Sequence, residues 1–463
     1  MTKIIDTDIH QLSTIEAEGT KYSKYKKSVH KKEYGQFFTN YQIANFMSEL
    51  FTINPSNTKV DILDCGAGNG ILAISLIHKL VKHGIKTIHV TLYEIDPDVI
   101  PLLKTNLTKT IADSSATITF DIIQENFILA DMEKNFDYII SNPPYFKLNK
   151  ESVESKKMYY AVHGQPNIYG LFMMKSAECL KDSGEMVFIT PRSFTSGSYF
   201  TKLRESLFKL VSIAHLHIFN SRTKHFKNEN ILQETIITKF TKQTSSQIQI
   251  TVSEDSYFGD MNKIELSQDE LVDLNGSIIR VPTSAEDLEI MKLFKNSKDT
   301  FASLGYKIST GKVVVFRNKE FLVFKANENT VPMLWMNHFK DEKLQYPLQT
   351  DKPQYIVNSV ESQKLLIPCK NYLVIKRFSS KEQKRRINIG YIYKKHMDCN
   401  VLGLENHLNY IYKIDGDFTD KEMQRLGKFL SSKIVDKYFR IMNGNTQVNA
   451  GDIMNLPIPK ELF

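Results

Sequence analysis

The sequence predicts an α/β protein: a mostly parallel sheet covered on both faces by helices, followed by a second domain of α+β character. Three observations predict it. From Val60 to Leu210, short apolar runs alternate with longer amphipathic stretches, the pattern of strand–helix–strand units. Beyond a polar stretch, Thr241–Ser256, that alternation fades and aromatic and basic residues become frequent. The chain has 463 residues, more than one compact core usually holds.

The elements follow in order. Val60–Asp64 reads as a buried strand. Ile71–Lys82 carries Ile71, Ile74, Leu76 and Ile77 at near-helical intervals and is predicted to be a helix. Thr87–Glu94 is a second strand and Asp98–Leu107 a second helix. Thr117–Ile123 and Phe136–Ser141 are further strands. Tyr169–Lys181 is a helix stopped by Gly184, Met186–Thr190 a strand and Tyr199–Leu210 a helix. Val211–Phe219 and Ile231–Phe240 are strand-like with no helical pattern between them, so a hairpin with one antiparallel strand is expected. A long helix returns at Lys421–Ile441, with Met423, Leu426, Phe429, Leu430, Ile434 and Tyr438 on one face. The expected domains are a flexible basic N-terminal arm over 1–32, a catalytic domain over 33–245 and a second domain over 246–463.

Composition narrows the setting. Hydrophobic residues make up 41% and charged residues 24%, as in ordinary globular proteins. The net charge of +8 favours a polyanionic partner. Cys65, Cys179, Cys369 and Cys399 form no C-x-x-C pair, which argues against a structural metal or a disulfide framework. Met1–Lys32 has no apolar core of the signal-peptide kind. No run reaches the ~18 apolar residues of a membrane span. A cytoplasmic monomer without a bound metal is the expectation.

The turn Asp64-Cys65-Gly66-Ala67-Gly68-Asn69-Gly70 lies between a predicted strand and a predicted helix. Glycines there let backbone approach a ligand closely. Glu94, at the end of the next strand, can accept hydrogen bonds from both hydroxyls of a ribose. A dinucleotide fits this pattern in kind. Asp64 tilts it towards S-adenosylmethionine, because a carboxylate repels a pyrophosphate and attracts an ammonium.

Ser141-Asn142-Pro143-Pro144-Tyr145 follows another predicted strand. A proline-punctuated turn is the simplest reading. The residue types suggest more. The prolines fix the backbone, so the Asn142 side-chain carbonyl and the Pro143 main-chain carbonyl become two rigid acceptors, suited to an –NH2 group. Tyr145 offers a face for a planar substrate. In open parallel sheets, ligands sit at the carboxyl ends of strands. This motif, the glycine turn and Glu94 all belong to that edge. The combination predicts an amino group on a planar acceptor, held beside a methylsulfonium.

With these motifs in hand, the chain resembles the N6-adenine DNA methyltransferases of bacterial restriction–modification systems. Within them it is similar to the group whose cofactor motif precedes Asn-Pro-Pro-Tyr and whose target recognition domain is C-terminal. The resemblance implies a Rossmann-like class I methyltransferase sheet and an α+β target recognition domain. Gly35-Gln36-Phe37-Phe38-Thr39 matches the family's N-terminal element, which implies that Thr39 holds the methionine carboxylate. Asp64, Gly66, Gly68 and Gly70 match its glycine motif. Glu94 matches its ribose acid, with Ile95 beside the adenine ring. Asn126-Phe127 falls where the family often has Asp-Phe for the cofactor adenine, with Glu125 as the rival acid. Phe172 matches a phenylalanine that touches the same ring. Asn142, Pro143, Pro144 and Tyr145 match the catalytic motif. Phe226 matches an aromatic that packs the second side of a flipped base, with Phe219 as its competitor.

The implied reaction is methylation of N6 of an adenine flipped out of duplex DNA, with a separate cognate restriction endonuclease as a further partner. Between Lys370 and Lys395 lie nine basic residues and one acid, Glu382. From this run Lys376, Arg377, Lys384, Arg385 and Arg386 are the expected DNA contacts. Trp335 reads as a core residue. An RNA or protein-glutamine N-methyltransferase would use the same amine chemistry and is the alternative. Neither calls for a basic, aromatic second half.

Overall fold

The computed structural model describes residues 2–25, 38–132, 135–220, 234–259, 261–272, 278–379 and 382–463, and the side chains of all but 2–7 among them. The chain divides into two compact units, Met1–Ser284 and Ala285–Phe463.

The first unit is built on a nine-stranded sheet of order β3-β2-β1-β4-β5-β7-β6-β8-β9. The strands are β1 (Lys59–Asp64), β2 (Thr87–Tyr93), β3 (Thr117–Ile123), β4 (Phe136–Ser141), β5 (Leu180–Pro191), β6 (Ser212–Phe219), β7 (Thr235–Thr241), β8 (Gln247–Ser253) and β9 (Asn262–Ser267). The five strands from β3 to β5 run parallel. Ile62, Val90, Ile140 and Val187, on β1, β2, β4 and β5, are fully buried, which is why these strands read as apolar runs rather than alternating ones. The expected hairpin is present: β7 is antiparallel to both β5 and β6. The sheet then continues. β8 runs parallel to β6, and β9 is antiparallel to β8. The sheet therefore has two antiparallel strands instead of the one expected.

That continuation corrects the domain boundary. Residues 246–267 extend the first sheet, so the division falls at Ser284–Ala285 and not at 245–246. The polar stretch that suggested a boundary, Thr241–Ser256, holds the turn after β7 and the whole of β8. The N-terminal arm is also corrected. Thr2–Tyr25 is a helix, α1. Its Leu12 and Ile15 are buried in the same core as β1 and β2. Ile15 O accepts a hydrogen bond from Asn69 Nδ2 at 3.0 Å, and Glu16 accepts from Tyr41 N at 2.9 Å. Lys26, Lys27, Lys31 and Lys32 lie outside the described residues.

Helices α2 (Tyr41–Glu49), α3 (Ile71–Lys82), α4 (Ile100–Ala112), α5 (Val153–Lys157), α6 (Ile168–Glu178) and α7 (Thr201–Leu207) accompany the sheet. α3 is apolar nearly all round, with Leu72, Ile74, Ile77 and Leu80 buried, as expected of a core helix. α6 ends at Glu178 and β5 begins at Leu180. Gly184 therefore lies within a strand, where a Cβ would meet Phe136 O at 3.0 Å; it does not stop the helix.

The second unit holds two larger sheets. One is four-stranded and antiparallel, in the order Tyr306–Thr310, Leu408–Lys413, Tyr372–Lys376, Ile389–Ile392. The other is five-stranded, in the order Leu322–Val323, Tyr355–Val357, Thr330–Leu334, Val401–Leu404, Leu366–Pro368. The long C-terminal helix is two helices, Asp420–Leu430 and Lys433–Met442. The break is at Ser431-Ser432, where Ser432 accepts from Val435 N and caps the second helix. Tyr438 on that helix stacks on Phe294, with ring centroids 3.9 Å apart. Trp335 is buried, as expected of a core residue. Among the described residues, no helix is long and apolar enough to cross a membrane.

Candidate active site

The glycine turn leaves β1 and enters α3 as its spacing predicts. Gly68 has φ +53° and Gly70 φ +86°, conformations that favour glycine. A Cβ on Gly70 would also lie 2.7 Å from Leu103 Cδ1. Gly66 differs. A Cβ there would find its nearest neighbour, Phe172 Cε1, at 3.8 Å. Among the described residues no atom lies nearer than this, which suits close approach of a ligand.

Glu94 follows β2 and turns back onto that loop. Its Oε2 accepts from Gly68 N at 2.7 Å and its Oε1 from Asp96 N at 2.8 Å. The carboxylate keeps acceptor capacity for a further donor such as a ribose hydroxyl. Burial pushes its pKa up, opposed by backbone donors, those of Asp96 and Gly68 foremost. Asp64 lies behind the turn, 1% exposed. Its Oδ1 accepts weakly from Gly66 N at 3.4 Å, and its Oδ2 has no hydrogen-bond partner among the described residues. Burial pushes this carboxyl up to about 7, with Glu94 adding to the shift and Gly66 N opposing it. A buried acid left half-satisfied suits a site completed by a cationic group.

A cavity of about 390 Å³ opens beside this loop. The sequence-predicted residues Gly66, Gly68, Glu94, Ile95, Asn126, Phe127, Asn142, Pro144 and Phe172 line it. Phe127 packs between Tyr93 and Phe172, with ring centroids 5.3 and 5.2 Å away. Ile95 is 48% exposed, an apolar side chain offered to the cavity. Aromatic and aliphatic walls with carboxylates at the rim suit a nucleoside-like ligand. Glycines free to approach it, a part-satisfied ribose acid and an unpartnered buried carboxylate together fit S-adenosylmethionine.

The Asn-Pro-Pro-Tyr motif leaves the end of β4. Asn142 Nδ2 donates to Thr39 Oγ1 at 3.0 Å, which ties the motif to the N-terminal element. The Tyr145 hydroxyl lies 2.5 Å from Asn142 Oδ1 and 2.9 Å from Ile189 O. One hydroxyl proton can serve only one of these acceptors. Tyr145 therefore shares its proton between the motif's own carbonyl and the backbone of β5.

Several expected residues stand apart from the cavity lining. Thr39 and Tyr145 touch the site only through Asn142. Asp64 and Gly70 form the back of the glycine turn, and Pro143 is buried beside the cavity-lining Pro144. Phe226 lies outside the described residues. Its competitor Phe219 is a core residue, 1% exposed and packed on His217 at 4.6 Å.

The basic run of the second unit is heterogeneous. Lys384 and Arg385 are exposed, and Arg385 pairs with Glu342 at 3.1 Å. Lys376 is half-buried and burial pushes its ammonium pKa down. Arg377 donates to Asn406 O at 2.7 Å. Arg386 is a correction. It is 2% exposed, donates to Ser379 Oγ at 3.0 Å and to Asn443 O at 3.3 Å, and also reaches Asn445 O. Its guanidinium holds the 443–449 segment in place and has no face left for a phosphate.

The cavity also recruits residues that sequence reasoning missed: Phe38, Tyr93, Phe146, Leu148, Glu154 and Ile168. Phe38 and Tyr93 adjoin recognised residues. Glu154 had no local signal. It sits on α5 and reaches the site by folding, where its Oε1 accepts from Asn126 Nδ2 at 2.9 Å. No group of three or more potential metal ligands occurs among the described residues.

The chain matches the family of Eco57I restriction-modification methylases over residues 71–226. It is 36% identical to the Type II methyltransferase M.BsuBI of Bacillus subtilis over 443 residues, 93% of this chain and 88% of the relative. It is 31% identical to the Type II methyltransferase M.PstI of Providencia stuartii, over 92% of this chain and 87% of that one. Among solved structures, the Type IIL restriction-modification enzyme MmeI in complex with DNA shares the fold. Its TM-score is 0.57 at 12% identity, covering 86% of this chain and 62% of MmeI. With relatives of 36% and 31% identity matched over 88% and 87% of their own length, the chain belongs to the Type II methyltransferases of restriction–modification systems.

Proposed function

We propose that this protein transfers a methyl group from S-adenosylmethionine to N6 of an adenine flipped out of duplex DNA, as the modification partner of a separate restriction endonuclease. The observation that carries the reading is the shared cavity: Asn142, from the amine-binding motif, lines the same space as Gly66, Gly68 and Glu94. An amine held by Asn142 would therefore adjoin the bound nucleoside. The names of the two relatives matched over most of the chain, both Type II methyltransferases, support DNA as the substrate.

S-adenosylmethionine, when bound, supplies an electrophilic methyl group. The chain supplies position. Glu94 takes the ribose hydroxyls, Asp64 offers its unpaired oxygen to the ammonium side, and Ile95, Phe127 and Phe172 enclose the base. Thr39 holds the Asn142 amide nitrogen, so its carbonyl oxygen faces away from Thr39. An incoming N6 amine replaces the Tyr145 hydroxyl at Asn142 Oδ1, and that hydroxyl keeps Ile189 O as its acceptor. Asn142 Oδ1 and the Pro143 carbonyl would then hold both amine hydrogens, which turns the nitrogen lone pair towards the methyl group. The Tyr145 ring stacks on the adenine. Catalysis by alignment and amine polarisation needs no covalent enzyme adduct. The surplus proton leaves to solvent.

The test offers purified protein and S-adenosylmethionine three acceptors: duplex DNA, structured RNA and whole-cell protein. Mass spectrometry of the digests should find N6-methyladenine from the duplex. Methyl groups in RNA or in protein glutamine alone would replace DNA as the substrate.

A further inference from the structure

We propose that Glu154, oriented by Asn126, is the residue that recognises the exocyclic amine of the nucleoside in the cavity and so makes the site selective for adenosyl over inosyl ligands. The proposal rests on the S-adenosylmethionine reading above and deepens it.

The cavity has carboxylates from Glu94, Glu125 and Glu154 along its lining. Glu94 already accepts from Gly68 N of the glycine turn and from Asp96 N, which places it beside that turn, at the end of the cavity read as the sugar end. An adenine ring in the cavity beside Phe127 and Phe172 has one hydrogen-bond donor of its own, the exocyclic amine, and that donor needs an acceptor. Asn126 is the nearest candidate in sequence, yet its amide is committed. Oδ1 accepts from Ile128 N at 3.0 Å, and Nδ2 donates to Glu154 Oε1 at 2.9 Å. This pair fixes the direction of the side chain, because the amide cannot flip without losing both bonds. Glu154 is half-buried, and one of its two oxygens receives Asn126 while the carboxylate keeps acceptor capacity for a second donor. Glu125 is exposed, and among the described residues no hydrogen bond orients its side chain. An oriented, part-buried carboxylate is the better acceptor of a ligand amine.

The chemistry also says what the site rejects. A hypoxanthine ring carries a carbonyl oxygen where adenine carries the amine. Facing Glu154, that oxygen meets a carboxylate with no proton to share. A hydrogen bond to a charged acceptor typically contributes enough to separate the two ligands by roughly 10- to 100-fold. The Asn126 donor makes a sharper forecast. In Glu154→Gln, Asn126 Nδ2 would still claim the carbonyl oxygen of the new side chain, which turns its –NH2 towards the ligand. An adenine amine then faces a donor and a hypoxanthine carbonyl finds one, so the preference should vanish or invert.

The experiment is calorimetric titration of the full chain with S-adenosylhomocysteine and S-inosylhomocysteine. Wild type should bind the adenosyl compound roughly 10- to 100-fold more tightly. Glu154→Gln should bring that ratio to one or below. Asn126→Ala, which keeps the carboxylate and removes its orienting donor, should reduce the ratio as well, and remains informative if Glu154→Gln does not fold. The Asn126→Ala/Glu154→Gln double variant should lose the inversion, since nothing then fixes the new amide. A wild-type ratio retained in Glu154→Gln or in Asn126→Ala overturns the proposal and leaves the cofactor reading standing. A ratio that falls in Glu125→Gln and not in Glu154→Gln gives the role to Glu125 and overturns it too. Failure of the wild type to bind either compound would sink the cofactor reading itself, and this inference with it.

Discussion

Asp64 is a carboxyl group buried at the back of a glycine turn, with one oxygen unpartnered among the described residues. Its pKa is pushed up to about 7, mainly by burial. The unfolded chain releases this proton near pH 4, so between about 4 and 7 the folded protein holds a proton that the unfolded chain has lost. Folded-state stability therefore falls as pH rises through that window, the reverse of a salt-bridged carboxylate. The penalty is fully present above pH 7 and amounts to at most about 4 kcal/mol. Asp64→Asn should raise the melting temperature relative to wild type at pH 8 and much less at pH 5, while weakening S-adenosylhomocysteine binding. Thermal denaturation at both pH values checks this; a variant less stable at pH 8 would contradict it. Residue identity was legible for Asp64, Glu94 and Asn142, because each adjoins a strand end inside a motif. It was not legible for Arg386. A run of lysines and arginines looks uniform in sequence, and only the fold separates exposed Lys384 from a guanidinium enclosed by Ser379 and Asn443.

At the scale of elements, the strands of the parallel half of the sheet were the easiest to see, the edge strand β3 included. The predicted Thr117–Ile123 and Phe136–Ser141 coincide with β3 and β4, and Ile71–Lys82 with α3. Errors came where one signal had two meanings. Gly184 punctuates a strand rather than a helix. The apolar stripe over Lys421–Ile441 hides a break: the second helix is capped by Ser432 and buries Val435, Tyr438 and Phe439, while Ile434 of the expected face is exposed. Helix α1 was hidden by its polar composition. Among its described residues, Leu12 and Ile15 are the buried hydrophobic side chains, and charged neighbours outnumber them. That makes Leu12 informative. Leu12→Ala should cost about 2–4 kcal/mol, the usual range for a buried leucine, and lower the melting temperature of the first unit. A flexible arm would give no change.

At the scale of the molecule, the two-part organisation was legible in the change of pattern along the chain, but the place of division was not. A polar turn and a domain linker share a composition. Pairing decides between them, and β8 pairs along five residues of β6. A fragment covering 1–284 should be soluble and melt cooperatively. One covering 1–245 leaves the β6 edge open along a buried, apolar strand, and should aggregate. Sedimentation of the two fragments compares them; equal behaviour would restore the earlier boundary.

The most direct test compares wild type and Asn142→Ala in transferring labelled methyl groups to duplex DNA, with S-adenosylhomocysteine binding measured in parallel. The amine-polarising role predicts N6-methyladenine from the wild type. It also predicts a loss of about 10²- to 10³-fold or more in rate for the variant, with ligand binding within a few-fold of normal. Undiminished methylation by Asn142→Ala, or a methylated base other than N6-methyladenine from the wild type, would contradict it.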